Sequence, residues 1–508
     1  MITLINPPGI KPVASLNMNS PSPPLGLAYI AGTLRGAGYV FHVIDATGAA
    51  FDQIRPYPER KDFLVQGLTV DEIVARIPSD TDIVGFSCIF SSVWPLTRGV
   101  AHAVRHRFPK ALLVLGGEHG TAVPEYSLRE GPFDVIVLGE GEETFVKLVK
   151  AHRAERPLRD VGGLALISNG EYVETGLSAR TRAVDDISLP AWDRFPIEEY
   201  IARHQTNGIN LGRSMPLLAT RGCPYTCTFC SSPNMWTTRY IPRNPKLVAD
   251  EMESYIAAYG VSNFDFQDLT AVVKRSWVIE FCWELINRGL QVTWQMPSGT
   301  RCEIFDEEVA DLLYRSGCRV LAFAPESGAP DMLELVQKNV NLDHLLRSVR
   351  IAVARRLTLS CFFVIGFPGE TSESLRKTAK LVRKLAWLGV HDVAVTKFIP
   401  YPGSTLFRTF LAEKKITLND EFFISPLDYY SRRAPSYANT ITAKRLYWTM
   451  IWMFLNFYVL SFARRPIRTF TAVAKAIFTG IEATRYSKWL VDRVYTRSRW
   501  KALAKRAN

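Results

Sequence analysis

The sequence predicts an α/β protein of two units in series, a doubly wound parallel sheet over residues 1–155 and a full or partial (β/α) barrel over 216–410, followed by a helical, basic region over 411–508. Three observations carry this expectation. Short β-branched runs alternate with helical stretches through the first 150 residues, as parallel strands joined by crossover helices do. The alternation resumes near Leu217 and repeats six times. It stops after Pro402, where a different kind of segment begins. Length and composition agree, since 508 residues exceed one ordinary core, and 47% hydrophobic with 22% charged residues exclude wholesale disorder.

In the first unit the expected strands are 2–5, 41–44, 83–87, 112–115 and 135–138, with helices over 25–36, 93–107 and 142–152. Residues 156–215 read as a connector, with a small hairpin around Asn169-Gly170 and a link containing Pro190, Trp192 and Pro196. The second unit is expected to place strands at 217–220, 263–267, 291–296, 320–324, 359–365 and 392–398. In sheets of both kinds, ligands bind at the loops that follow the carboxyl ends of the strands. Three small-residue turns fall there in the first unit: Ser87-Cys88-Ile89, Gly116-Gly117-Glu118-His119-Gly120 and Gly139-Glu140-Gly141-Glu142.

Eight cysteines are present and only Cys223, Cys227 and Cys230 are clustered, which is not the pattern of a secreted disulfide scaffold. Residues 1–5 lack the basic region and long apolar run of a signal peptide and read as a first strand, so a reducing cytoplasm is expected. The net charge of +12 is concentrated at one end: from 464 to 508, twelve Lys or Arg stand against Glu482 and Asp492, a net of +10. Such asymmetry points to an acidic partner, membrane or nucleic acid.

The chemistry centres on Gly222-Cys223-Pro224-Tyr225-Thr226-Cys227-Thr228-Phe229-Cys230, a glycine-led loop after the first strand of the second unit. An iron-sulfur cubane takes four thiolates, so three closely spaced cysteines leave one iron open to another ligand. The competing reading is a zinc site, which requires a fourth ligand close by, and residues 231–245 contain no Cys or His. The spacing CxxxCxxC, with aromatic Phe229 before the last cysteine, resembles the radical SAM superfamily. That resemblance implies a [4Fe-4S] cluster on Cys223, Cys227 and Cys230, with S-adenosylmethionine (SAM) chelating the open iron and cleaved to a 5'-deoxyadenosyl radical that removes hydrogen from unactivated carbon. It also makes Phe229 and the strand-end residues Gln267, Asp268, Ser298, Arg301, Glu326 and Gly366 candidates for holding SAM. An external electron donor of flavodoxin or ferredoxin type is implied as well.

A doubly wound unit with these turns, ahead of this triad, resembles the cobalamin (B12)-binding radical SAM subfamily from the N-terminus to about residue 410. The resemblance implies a flavodoxin-like domain of B12-binding type and names Ser87, Gly116, Gly117, Glu118, His119, Gly139 and Glu140 as candidate cobalamin contacts. Glycine suits such turns because a broad macrocycle needs close backbone approach. No DxHxxG loop follows the first strand, so the histidine that commonly ligates cobalt from it is absent; His119 could approach the corrin, yet a lone loop histidine is more often a hydrogen-bonding or packing residue. A flavin or nucleotide is the competing ligand, although Gly139-Glu140-Gly141-Glu142 lacks the dinucleotide spacing.

Residues 446–463 form an uncharged run rich in Trp, Phe and Tyr, bounded by Lys444-Arg445 and Arg464-Arg465. It reads as a helix packed on the barrel or lying in a membrane interface, with a full span as the third option. Peripheral association of 446–508 with membrane is favoured over nucleic acid, since no RNA-binding module is recognisable. A hydrophobic small-molecule substrate follows: a lipid, isoprenoid or tetrapyrrole. The expected reaction is cobalamin-dependent C-methylation, with radical cyclisation or oxidation as an alternative and a non-enzymatic cobalamin or iron-sulfur sensor as the reading from another class.

Overall fold

The computed structural model describes residues 1–13, 21–176 and 183–479, together with 482, 484 and 487. The first unit is a seven-stranded sheet whose order across is Glu171–Glu174, Leu164–Ser168, Val135–Val137, Leu112–Gly116, Ile83–Ser87, Ile2–Asn6 and Phe41–Asp45. Its five central and edge strands from Val135–Val137 to Phe41–Asp45 run parallel, with Ile2 opposite both Phe41 and Ile83. Helices cover both faces, which is why Ile83–Ser87 is buried along its whole length instead of alternating. The hairpin at Asn169-Gly170 forms as expected, but it adds two antiparallel strands to this sheet, so part of the expected connector belongs to the first unit. A three-stranded antiparallel sheet of Gly9–Pro12, Arg60–Gln66 and Ile54–Tyr57 was not foreseen.

In the second unit six parallel strands lie side by side in chain order: Ser214–Leu217, Asn263–Phe266, Thr293–Thr300, Cys318–Glu326, Thr358–Ile365 and Asp392–Lys397. The first and last do not pair, so this is the partial barrel of the two forms expected. Local signals set the helix ends. Asn244 accepts from Lys246 N ahead of Pro245, and Gly260 at φ +60° closes the same helix. Thr371 and Ser374 form a reciprocal cap on Ser372–Leu388.

One apolar cluster runs from Leu4 in the first sheet and Leu27 on the helix Leu25–Gly36 through Trp192 to Phe266, Trp294 and Leu359 in the second sheet, so the two units share a core. The C-terminal helix Ala443–Arg464 joins it through Leu446, Met450, Met453 and Phe457. Trp489, Tyr495, Trp500 and most of the basic tail lie outside the described residues.

Candidate active site

The triad loop follows the strand Ser214–Leu217 and then a short strand Thr220–Arg221, which pairs antiparallel with Ile241–Pro242 outside the six-stranded sheet. Asp268, at the end of the neighbouring Asn263–Phe266 strand, accepts from Ala219 N at 3.2 Å and from Thr220 Oγ1 at 2.5 Å. Burial pushes its carboxyl up to about 6 despite those donors. Asp268, a candidate SAM contact, faces the backbone that carries the triad and so fixes where the loop begins.

The three thiols lie close enough to act on one another electrostatically, and burial raises both Cys227 and Cys230, the latter to about 12. Among the described residues no group of three or more His, Cys, Asp or Glu side chains is arranged to hold a single metal ion. A lone zinc therefore does not fit, whereas a cubane, which spreads its thiolates over separate irons, suits three cysteines on one loop.

Arg301 and Glu326 converge on this loop. The Arg301 guanidinium lies 3.9 Å from the Tyr225 ring centroid, pairs with Glu303 at 2.6 Å and donates to the Asn339 carbonyl. Its Nη1 is buried with no hydrogen-bond partner. A buried donor without an acceptor is costly, and a carboxylate such as that of SAM would satisfy it. Glu326 sits at φ +63° beyond a bulge and pairs at 3.0 Å with Lys338, itself buried. Lys338 was not foreseen and carries no signal in the sequence, where it follows Gln337 just beyond the short helix Pro330–Leu335. Its charge, with that of Arg301, counteracts the rise in the Cys227 thiol.

The other SAM candidates are dispersed. Asn207 donates to Ser298 Oγ at 3.0 Å and to Gln267 Oε1 at 3.4 Å, bringing those two together. Phe229 stacks obliquely on Phe367 at 5.3 Å. Gly366 donates to Glu370 at 2.5 Å, and a Cβ there would come 2.7 Å from Leu446 Cδ1, so the C-terminal helix covers this loop.

Six of the seven cobalamin candidates, Ser87, Gly116, Gly117, Glu118, Gly139 and Glu140, line one cavity of about 180 Å³. A Cβ on Gly116 or Gly139 would meet nothing nearer than 3.9 or 3.5 Å, so these positions form an open floor that a side chain would fill. Backbone left bare in this way permits the close approach that a broad ligand needs. His119 is the exception. Its ring is buried against Trp94 at 4.6 Å and Phe423 at 4.9 Å, with Nδ1 at 2.9 Å from Ser91 Oγ. Burial pushes it down to about 3, and it does not line the cavity, so the expected contact is corrected to a packing role.

The far wall of the cavity is Met235 and Trp236, on the short helix just beyond Cys230. Glu118, raised by burial, hydrogen-bonds Ser231 and acts electrostatically on Cys230, so it stands between cavity and triad. Arg221, two residues before Cys223, crosses to the first unit and pairs with Glu140 at 3.0 Å and Glu142 at 2.5 Å, all three buried or nearly so. Its guanidinium lies over Tyr29 and Trp236. The two candidate cofactor sites are thus joined through shared residues.

Comparison with known proteins agrees with this arrangement. Residues 13–149 match the B12 binding domain family and residues 217–382 the radical SAM superfamily. The chain is 30% identical over 424 residues to an uncharacterized methyltransferase of Pyrococcus horikoshii, covering 82% of this chain and 85% of that one. It is also 30% identical over 414 residues to the anaerobic magnesium-protoporphyrin IX monomethyl ester cyclase of Cereibacter sphaeroides, covering 80% of this chain but only 63% of the cyclase. In fold it resembles a radical S-adenosylmethionine methyltransferase from Kitasatospora setae solved with cobalamin and a [4Fe-4S] cluster, with a TM-score of 0.67 over 99% of both chains at 16% identity. With both domains matched in order and a relative aligned through most of its length, the chain belongs to the cobalamin-binding radical SAM enzymes, which work with a [4Fe-4S] cluster, S-adenosylmethionine and cobalamin.

Proposed function

We propose that this enzyme methylates an unactivated carbon of a hydrophobic metabolite, of lipid, isoprenoid or tetrapyrrole class. The observation that carries the proposal is the shared wall: Met235 and Trp236, five and six residues beyond Cys230, close the cavity lined by the glycine turns. When bound, the cluster with SAM supplies a radical that removes hydrogen, and cobalamin supplies the methyl group. Cys223, Cys227 and Cys230 would hold the cluster, Arg301 would take the SAM carboxylate on its unpartnered Nη1, and Glu326 with Lys338 would flank it. Ser87, Gly116, Gly117, Gly139 and Glu140 would seat the corrin, and Glu118 would border the reaction space. The protein's own contribution is orientation and exclusion of water.

As a radical SAM enzyme the chain requires a reductant and a small-molecule substrate. We assign the reductant to a flavodoxin or ferredoxin type of donor, the setting to the cytoplasm, and the C-terminal region to the inner face of the membrane. The likeness to the cyclase supports a second reading, radical cyclisation or oxidation without methyl transfer. Anaerobic reconstitution, followed by incubation with methyl-labelled SAM and a lipid extract, separates the two. Label in a new product is expected; 5'-deoxyadenosine with a mass change but no label would replace methylation with the second reading.

A further inference from the structure

The C-terminal helix Ala443–Arg464 has two apolar faces, and only one is used by the fold. Leu446, Met450, Met453 and Phe457 pack inward against the helix Ser372–Leu388 and the strand Asp392–Lys397. At helical spacing on the opposite side run Trp448, Trp452, Leu455, Val459 and Phe462, each 44–61% exposed. The seam continues onto Pro466–Thr479 with Ile467, Phe470 and Phe478, at 68–81%. An apolar stripe of this length on a folded surface marks an interaction site.

Its surroundings identify the partner. Beside Trp448 and Trp452, between the helices Ser372–Leu388 and Ala443–Arg464, opens a cleft of about 880 Å³ ringed by Arg376, Arg383, Lys444 and Arg445, and no carboxylate lines it. Among the described residues none of these four cations is paired with a carboxylate. Arg383 lies 5.5 Å from the Trp452 ring and Arg432 5.9 Å from that of Trp448. Arginine and lysine beside tryptophan, on the rim of an aliphatic seam, is the chemistry of a surface that meets lipid phosphates and the acyl boundary together.

By length and composition the helix could cross a bilayer. The fold holds it otherwise. Tyr458 donates to Asp392 at 2.5 Å, Arg465 donates to the Trp387 and Leu388 carbonyls at 3.1 Å each, and Arg468 donates to those of Gly389 and Val390 at 2.7 and 3.2 Å. These two arginines satisfy the open carbonyls at the end of the neighbouring helix, and a spanning orientation would strip them away.

We propose that this face docks on an anionic phospholipid bilayer, with Arg376, Arg383, Lys444 and Arg445 receiving headgroup phosphates in the cleft and the Trp448–Phe462 seam entering the interface. The proposal rests on the peripheral-membrane reading above and assigns it a face and a lipid class. Leu446, on the inner side of the same helix, touches Gly366, so the docked face lies one helix away from a strand-end loop of the catalytic sheet.

Flotation of the full-length reconstituted enzyme with phosphatidylcholine vesicles, with and without phosphatidylglycerol, tests it. Binding only to vesicles containing phosphatidylglycerol is expected, weakened by salt. Arg376→Gln with Arg383→Gln should reduce it about thirty-fold, roughly five-fold per cation. Trp448→Ser with Trp452→Ser should abolish it, with visible cofactor spectra unchanged in both variants. No binding to either vesicle would overturn both the face and the peripheral-membrane reading. Binding that survives both double substitutions would overturn the face alone and assign the contact to the basic tail. A dimer in sedimentation velocity that Trp448→Ser with Trp452→Ser dissociates would assign the seam to a second copy instead.

Discussion

Gly117 shows how tightly one position in the cobalamin-side turns is determined. It sits at φ +102°, and a Cβ there would lie 2.6 Å from the Cys88 carbonyl oxygen. Gly38 has a comparable φ of +77° but open space around it. Gly38→Ala should therefore cost about 1 kcal/mol from backbone conformation alone, and Gly117→Ala roughly 3 kcal/mol with added loss of bound cobalamin. Urea denaturation and corrin absorbance of the purified variants check the contrast. Glu370 carries a pH signature. Burial lifts its carboxyl from 4.5 to about 7 while it accepts from Gly366. Between those values the unfolded chain has lost the proton and the folded chain keeps it, so this group's contribution to stability falls as pH rises from about 4.5 to about 7. His391, pushed down to about 3, works in the opposite direction below 6.5. The difference between wild type and Glu370→Gln isolates the glutamate: the variant should gain on wild type progressively across that window in urea midpoints, and a constant difference would refute the assignment.

At the scale of elements, the strands extend past the limits that hydrophobic runs suggest. Runs ending near 296 and 324 continue to Thr300 and Glu326 through irregular pairing, with register shifts between Met296 and Thr300 and between Phe323 and Glu326. Bulges of this kind turn side chains that alternation would send elsewhere, which is how Arg301 and Glu326 come to face the triad. Their identity as candidates was legible from position after a strand; their convergence depends on backbone irregularity that no periodicity encodes. Gly9–Pro12, Ile54–Tyr57 and Arg60–Gln66 escaped notice because Pro12, Pro56 and the charged Arg60-Lys61-Asp62 interrupt any strand pattern. Asp268 is legible as a candidate from its place at a strand end, and its hydrogen bonds to Ala219 N and Thr220 Oγ1 reveal the support it provides. Asp268→Ala should release the strand ahead of the triad and lower iron and sulfide per chain while cobalamin content is retained, with Asp268→Asn recovering part of the cluster. Metal and corrin analysis of the same preparations tests this split.

Across the whole molecule the two units are fastened by Arg221, whose partners Glu140 and Glu142 belong to the other domain. The Gly139–Glu142 turn is visible in the sequence, whereas the strand expected at 217–220 resolves into Ser214–Leu217 and a separate Thr220–Arg221, and a charge pair across eighty residues is a product of docking with no local signal. Arg221→Met would leave two carboxylates nearly buried without a cation, at a cost of about 3–5 kcal/mol. Calorimetry should then show a lower melting temperature, and both cofactors should be lost together, in contrast to the selective loss expected of Asp268→Ala.

That same arginine limits how freely the two halves of this chain could be exchanged with others. The corrin-carrying half of this chain would not transplant onto a foreign radical-generating half unless the recipient presented a guanidinium two residues before its first cysteine, to meet the two acidic groups at Glu140 and Glu142. Chimaeras that exchange these three residues as a set should remain soluble where those that split the set aggregate, making the buried ion cluster a compatibility code between domains.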